Sequence, residues 1–207
     1  RPYNYIELPD EEGLFELRDV PHGTLTQEFY KSKISDNWEK LIVYLPPCVP
    51  SAGLPVLYLQ HGFGESEISW STTGKVNFLM DNLIAAGKIK PFAIVMGNGM
   101  VKQRIDGELK LNRALYGQML VEEILPMIEK KYQFGGSKEK RGMAGLSMGS
   151  VQTTRTICAH PELFSEVGIF SGFLRDRIVG DEEHDGIVPK SGGQSYLKAM
   201  DDAAFNT

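Results

Sequence analysis

The chain has 207 residues, with 22 lysines and arginines against 27 aspartates and glutamates, so its formal net charge is −5. This acidic balance excludes bulk electrostatic attraction to nucleic acid or to an anionic membrane surface. The composition, 42% hydrophobic and 24% charged, is typical of a globular protein long enough for one domain with a substantial core. No apolar run reaches the roughly 18 residues of a membrane span. We therefore expect neither nucleic acid nor a membrane as a partner.

The first 22 residues are polar, acidic and interrupted by prolines, which is typical of an extended arm that runs over a surface. Two strand-like runs follow, at 25–33 and 38–46. Two cysteines, Cys48 and Cys158, lie far apart, and no metal-ligand spacing surrounds either. We expect two unpaired thiols rather than a disulfide framework, and no metal site.

From residue 54 onwards, buried strands alternate with helices. Strands are predicted at 54–60, 92–98, 140–146 and 166–172. Helices are predicted between them at 76–88, 114–132 and 147–160. Pro126 predicts a kink or an early break in the second helix. This alternation indicates right-handed βαβ units, and therefore an α/β fold with a mostly parallel sheet and helices on both faces.

The segment AGLSMGS, residues 144–150, holds one serine between two glycines at the spacing G-x-S-x-G. A strand is predicted before it and a helix after it, which is the context in which this motif carries a nucleophile. The backbone turns so sharply at such a serine that flanking Cβ atoms would clash, so glycines are needed. At the helix N-terminus, backbone N–H groups and the helix dipole favour developing negative charge. The pattern predicts that Ser147 is a nucleophile; the alternative is a serine that N-caps the helix.

An oxyanion hole needs two N–H donors aimed at one point. The first donor is predicted to be Met148, directly after the serine. The second should come from the loop HGFG, residues 61–64, because the carboxyl ends of parallel strands share one edge of the sheet. Phe63 is the predicted donor, with Gly62 next. His61 is expected to make structural hydrogen bonds rather than to act as the base.

The predicted loop that begins with HGFG and extends over residues 61–70 supplies the candidates for a substrate pocket, which are His61, Gly62 and Trp70. Trp70 and Phe63 are aromatic side chains suited to an aromatic acyl group. The alternative is that both simply pack under the loop, since aromatic residues are mostly core residues.

A serine nucleophile requires a base, usually a histidine oriented by a carboxylate. Two histidines follow Ser147 in the sequence. His160 lies at the far end of the predicted helix, about 20 Å away. His184 lies in an acidic stretch typical of a solvated loop and stays the alternative base. No further strand is evident after residue 172, so we expect the acid and the histidine beyond Thr207 and the C-terminal part of the domain to be missing.

Several blocks together resemble carbohydrate esterase family one, which includes feruloyl esterases, acetylxylan esterases and enterochelin-esterase-like proteins. The blocks are VPHGTL, LPVLYLQHGFGESEISW, EEILPMIEKKY, RGMAGLSMGSVQT and PELFSEVGIFSG. They occur in the family's order and extend over residues 20–175, most of the chain. The opening YNYIELP also resembles the junction of bimodular members, in which a carbohydrate-binding module precedes the esterase domain.

The resemblance implies an α/β-hydrolase fold and a serine esterase that releases ferulate or acetate from xylan through an acyl-enzyme. It implies an arm at 1–22 linked to an absent carbohydrate-binding module, and a truncated esterase domain at 23–207. It carries over Ser147 as nucleophile and Phe63 and Met148 as oxyanion donors. It also implies no cofactor or metal, acylated xylan or a feruloylated oligosaccharide as partner, and a secreted or periplasmic location.

Two other functions are compatible with the same sequence features. A relative that cleaves siderophore esters or other acyl esters would use the same serine turn. A non-catalytic carbohydrate-binding relative would keep the fold and lose the base.

Overall fold

A central sheet organises the structure, a computed structural model that describes residues 7–8 and 10–172. Its strands and those of a small separate hairpin are β1 (Thr24–Lys31), β2 (Trp38–Leu45), β3 (Val56–Gln60), β4 (Ala93–Gly97), β5 (Lys102–Ile105), β6 (Glu108–Leu111), β7 (Arg141–Leu146) and β8 (Glu166–Phe170). The α-helices are α1 (Ser69–Thr72), α2 (Val76–Ala85), α3 (Leu115–Met119), α4 (Leu125–Tyr132) and α5 (Met148–Ala159). No helix of these described residues is long and apolar enough to cross a membrane.

The six-stranded sheet has the order β1-β2-β4-β3-β7-β8. The first two strands pair antiparallel with each other, and β2 pairs antiparallel with β4. The remaining neighbours, β4 with β3, β3 with β7 and β7 with β8, all pair parallel. The prediction of a mostly parallel sheet is confirmed, with an antiparallel pair of strands added at one edge.

Two apolar clusters cover the two faces of the sheet because successive strand residues point to opposite sides. Tyr58 packs in one cluster with Leu120 and Ile157, on the face covered by α3, α4 and α5. Leu59, the next residue of β3, packs in the other cluster with Met80 of α2. The predicted arrangement of helices on both faces is therefore confirmed.

The helical region from α3 to α4 is interrupted just before Pro126. A π-helical turn at Leu120–Ile124 separates the two α-helices, and Pro126 lies in the first turn of α4. Proline has no N–H group, and its ring would clash with the carbonyl of Glu122 in a regular α-helix. The wider π turn accommodates both effects. The interruption predicted at Pro126 takes this form.

The hairpin of β5 and β6 was not predicted. Its two-residue turn consists of Asp106 at φ 52° and Gly107 at φ 84°, both in the left-handed region. An Asp-Gly pair is the preferred sequence of such a turn. The loop predicted after residue 60 likewise ends in the short helix α1, which sequence reasoning did not foresee.

The segment before β1 is held against α2 by hydrogen bonds. The side-chain amide of Asn82 donates hydrogen bonds to the carbonyls of Leu14, at 2.8 Å, and Glu16, at 2.9 Å. The carboxylate of Asp81 accepts the N–H of Gly23 at 3.0 Å. The part of the predicted arm that is described thus follows the surface of the sheet's helical layer. Its connection to a carbohydrate-binding module stays a prediction.

Candidate active site

Ser147 stands on a strained turn between β7 and α5. Its backbone has φ 52° and ψ −111°, a conformation that residues with a Cβ rarely adopt. The serine is exposed, while the three residues after it are buried. The 12-residue helix α5 begins directly after it, so the positive end of the helix dipole lies at the serine. The predicted sequence of strand, turn and helix is therefore present around an accessible hydroxyl.

Both glycines of the motif are required because other backbone atoms lie where a Cβ would be. A Cβ on Gly145 would overlap the carbonyl of Gly149. A Cβ on Gly149 would lie 2.7 Å from the carbonyl oxygen of His61 and 2.8 Å from the Cβ of Gln60. Real Cβ atoms do not approach backbone this closely. The turn at Ser147 therefore packs directly against the end of β3, where the HGFG loop begins.

The hydrogen bonds of Ser147 argue against a capping role. Its N–H donates to the carbonyl of Phe170 at 2.9 Å, and its own carbonyl accepts the N–H of Ser150 at 3.0 Å. Its side chain makes no capping hydrogen bond to α5. The alternative interpretation of the motif requires the Ser147 hydroxyl to cap α5. The hydroxyl makes no such bond and is therefore not committed to the helix.

The two predicted oxyanion donors lie on either side of the contact between the serine turn and the HGFG loop. Met148 is the first residue of α5, and the first N–H groups of a helix have no carbonyl partner within it. The N–H of Gly62 donates to the Glu65 carboxylate at 2.7 Å and is thereby engaged. Among the described residues, the N–H of Phe63 has no acceptor. This distribution favours Phe63 over Gly62, and the roles of Phe63 and Met148 stay predictions.

His61 lies behind the site rather than in it. It is 1% exposed, and its Nε2 accepts the N–H of Gly99 at 2.9 Å. Its Nδ1 therefore carries the proton and donates to the carbonyl of Gly62 at 2.7 Å. Both ring nitrogens are used inside the protein, which agrees with the predicted structural role. His61 and Gly62 are both buried, which argues against their predicted placement in a substrate pocket.

Two aromatic side chains follow β3, Phe63 in the HGFG loop and Trp70 in α1. The indole N–H of Trp70 donates to the carbonyl of Gln60 at 3.0 Å, and the Trp70 ring centroid lies 6.1 Å from that of Phe170. Phe63 is 61% exposed, and the guanidinium carbon of Arg113 lies 5.1 Å from its ring centroid, a cation–π arrangement. Trp70 packs at the strand ends, and its part in an acyl pocket stays a prediction.

Three residues of this region were missed by sequence reasoning. They are Gly99, Arg113 and Gln152, which the fold brings to the HGFG loop from the connection after β4, from the end of the hairpin and from α5. No local pattern marks them, because their partners lie tens of residues away in the sequence.

The catalytic base is not among the described residues near Ser147. His160 follows the last residue of α5, and the 12 residues of that helix span about 18 Å. The prediction that His160 is too distant is confirmed. His184, the alternative base, lies outside the described residues, and the acid and histidine expected beyond Thr207 stay predictions.

Comparisons with known proteins agree with this geometry. The model of the Esterase family, described as "Putative esterase", matches residues 32–203. An endo-1,4-beta-xylanase/feruloyl esterase of Xylanibacter ruminicola is 38% identical over an alignment of 176 residues that covers 81% of this chain and 24% of that protein. The chain thus spans about a quarter of the length of that curated relative.

Two solved structures show the same fold. A ferulic acid esterase superposes with a TM-score of 0.62 at 29% identity, over 71% of this chain and 59% of that chain. A ferulic acid esterase of Anaeromyces mucronatus, solved in complex with ferulic acid, gives a TM-score of 0.67 at 21% identity, over 75% and 60%. The central sheet, the helices on both faces and the serine turn are those of an α/β hydrolase. The chain therefore belongs to the esterase family, and within it resembles the feruloyl esterases of carbohydrate esterase family one.

Proposed function

We propose that the protein is a serine esterase that hydrolyses feruloyl esters through an acyl-enzyme. The observation that carries this proposal is Ser147, exposed on a strained turn at the N-terminus of α5 and packed against the start of the HGFG loop. The family match and the feruloyl esterase relatives support the activity and the acyl group.

In this mechanism the Ser147 hydroxyl attacks the ester carbonyl carbon while a base takes its proton. The carbonyl oxygen becomes an oxyanion, which the N–H groups of Met148 and Phe63 stabilise. The C–O bond to the sugar then breaks, and the sugar oxygen receives the proton from the base. Water attacks the acyl-serine in the second half of the cycle, releasing ferulate and restoring Ser147.

Feruloylated xylan or its oligosaccharides are the proposed natural substrates. The name of the Xylanibacter ruminicola relative combines endo-xylanase with feruloyl esterase, which links the two activities in one protein. Acetyl groups on xylan are the second acyl class, because a serine acyl-enzyme forms equally with a small acyl group. A substrate of this kind fits a secreted or periplasmic location.

The test compares turnover on three esters, which are methyl ferulate, acetylated xylan and a catechol-siderophore ester. The proposal predicts the highest kcat/KM for methyl ferulate and no measurable turnover of any ester by Ser147→Ala. Ser165→Ala is the matched control, because Ser165 lies before β8 at the opposite end of the strands and should leave activity unchanged. Preference for the siderophore ester would contradict the substrate class. Sugar binding without turnover would support a non-catalytic relative instead.

A further inference from the structure

A buried hydrogen-bond chain connects α5 to the HGFG loop. It begins at Gln152, five residues after Ser147, and Gln152 is only 7% exposed. The Gln152 Nε2 donates to the carbonyl of Gly99 and to the carbonyl of Arg113, each at 3.0 Å. Because both partners are acceptors, the orientation of the amide is fixed. Its Oε1 has no hydrogen-bond partner among the described residues, so the amide is held through its N–H groups alone.

The chain continues through Gly99 to the imidazole of His61. The N–H of Gly99 donates to His61 Nε2 at 2.9 Å, which places the imidazole proton on Nδ1. A Cβ on Gly99 would lie 2.5 Å from Oε1 of Gln152 and 3.1 Å from the terminal carbon of Met148. The connection is therefore tightly packed, and it touches the side chain of one of the two predicted oxyanion donors.

The last hydrogen bond of this chain restrains the peptide group that contains the N–H of Phe63, the other predicted oxyanion donor. His61 Nδ1–H donates at 2.7 Å to the carbonyl of Gly62, which also accepts the N–H of Glu65 at 3.3 Å. This carbonyl and the N–H of Phe63 belong to the same peptide unit. Described peptide bonds are all trans, and in a planar trans peptide the C=O and N–H point in opposite directions. Fixing the Gly62 oxygen therefore fixes the direction of the Phe63 N–H.

We propose that His61 and Gln152 are positioning residues that orient the Phe63 N–H toward the oxyanion, with Gly99 as the link between them. This inference rests on the proposed function of Ser147. Gln152 lies on α5, the helix that begins with Met148 directly after Ser147. The hydrogen-bond chain therefore connects the Phe63 N–H to the helix at whose start Ser147 lies. Neither side chain touches substrate; each acts through the Gly62–Phe63 peptide.

The substitutions His61→Gln and Gln152→Met test this assignment. Glutamine places a side-chain amide near the imidazole Nε2 but cannot donate to Gly62 as Nδ1 does. Methionine keeps the length of Gln152 and removes both donated hydrogen bonds. Matched controls are His160→Gln, beyond the far end of α5, and Gln118→Met, an exposed residue of α3.

The first readout is the kinetics of methyl ferulate hydrolysis, measured well below each variant's Tm. Removal of one oxyanion donor lowers kcat on the order of 10²-fold, so we expect losses of at least about tenfold in kcat with KM within about twofold. The controls should keep both constants. A purely structural role would lower Tm and leave kcat per folded molecule unchanged, and that result would overturn the proposal.

The second readout does not depend on turnover. In ¹⁵N-labelled protein, the amide resonance of Phe63 should shift in His61→Gln and Gln152→Met and stay in place in both controls. An unchanged Phe63 resonance in the two variants overturns the proposal. If the wild-type protein hydrolyses no ester while the Phe63 resonance shifts as expected, the proposed function fails and the orientation of this peptide by His61 and Gln152 stands.

Discussion

The backbone N–H of Ser147 donates a 2.9 Å hydrogen bond to the carbonyl of Phe170, the last residue of β8. The turn that presents Ser147, the proposed nucleophile, is thus held from two sides. On one side β8 binds the serine backbone, and on the other Gly149 packs against the carbonyl of His61 at the end of β3. The strained conformation of Ser147 persists because both neighbouring strands restrain it.

This two-sided support makes Gly149→Ala damaging. The added methyl group would meet the backbone of Gln60 and His61, so the turn or the HGFG loop must move. We expect a loss of about 2 kcal/mol in the free energy of unfolding, together with a fall in kcat. Urea unfolding and ester hydrolysis measure the two effects. Gly142→Ala in β7 is the control, since its Cβ would meet side chains no closer than 3.4 Å, and equal damage in both variants would contradict this account.

A largely buried ion pair lies at the opposite end of β7. The Glu129 carboxylate accepts hydrogen bonds from Arg141 Nε at 2.6 Å, Arg141 Nη2 at 2.7 Å and the Tyr58 hydroxyl at 3.0 Å. The N–H of Gly136 also donates to it, at 2.9 Å. Hydrogen bonding to this carboxylate raises the pKa of Arg141, and Tyr58 is fully buried. Removing the carboxylate leaves all of these donors unpaired.

We therefore expect Glu129→Ala to lower the free energy of unfolding by about 3 kcal/mol. The serine turn lies at the other end of the strand, so kcat/KM per folded molecule should not change. Glu162→Ala is the matched control, because Glu162 is exposed, and it should change stability by less than about 0.5 kcal/mol. Chemical denaturation of both variants checks the difference. Similar stability of the two variants would be inconsistent with this role of Glu129.

His22 connects the N-terminal segment to α2, because its imidazole donates to one acceptor on α2 and to one in the segment itself. Its Nδ1–H donates to the Asp81 carboxylate at 2.9 Å, and its Nε2–H donates to the carbonyl of Arg18 at 3.0 Å. Both bonds need a protonated nitrogen, so together they favour the imidazolium. The hydrogen bond to Asp81, followed by that to Arg18 and the nearby charge of Asp19, raises the pKa of His22 above its usual 6.5.

A raised pKa in the folded state means that this contact stabilises the protein below pH 6.5 and is lost as the pH rises through the folded-state pKa. The stability difference between wild type and His22→Gln should therefore be largest in acid and should shrink in alkaline buffer. Denaturant unfolding across this pH range measures it. A stability difference between the two proteins that does not change with pH would show that the charged form of His22 does not stabilise the fold.

The serine turn and the HGFG loop were predictable because their chemistry is local. Glycines around one serine, between a strand and a helix, leave few other interpretations. The hairpin of β5 and β6 was missed because both strands are only four residues long and largely exposed, and β5 shows no apolar alternation, although Asp106-Gly107 marked its turn. The bonds of Gln152 could not be foreseen, because a polar helical residue gives no sign of which distant carbonyls it will meet.

The central claim is that Ser147 becomes acylated, and rapid-quench mass spectrometry of the protein mixed with methyl ferulate tests it most directly. The account predicts a feruloyl ester on the peptide that contains Ser147, formed before steady-state release of ferulate. The adduct should be absent from Ser147→Ala, whose hydrolysis rate should be at least about 10⁴-fold lower. A feruloyl group on a different residue, or undiminished hydrolysis by Ser147→Ala, would contradict the account.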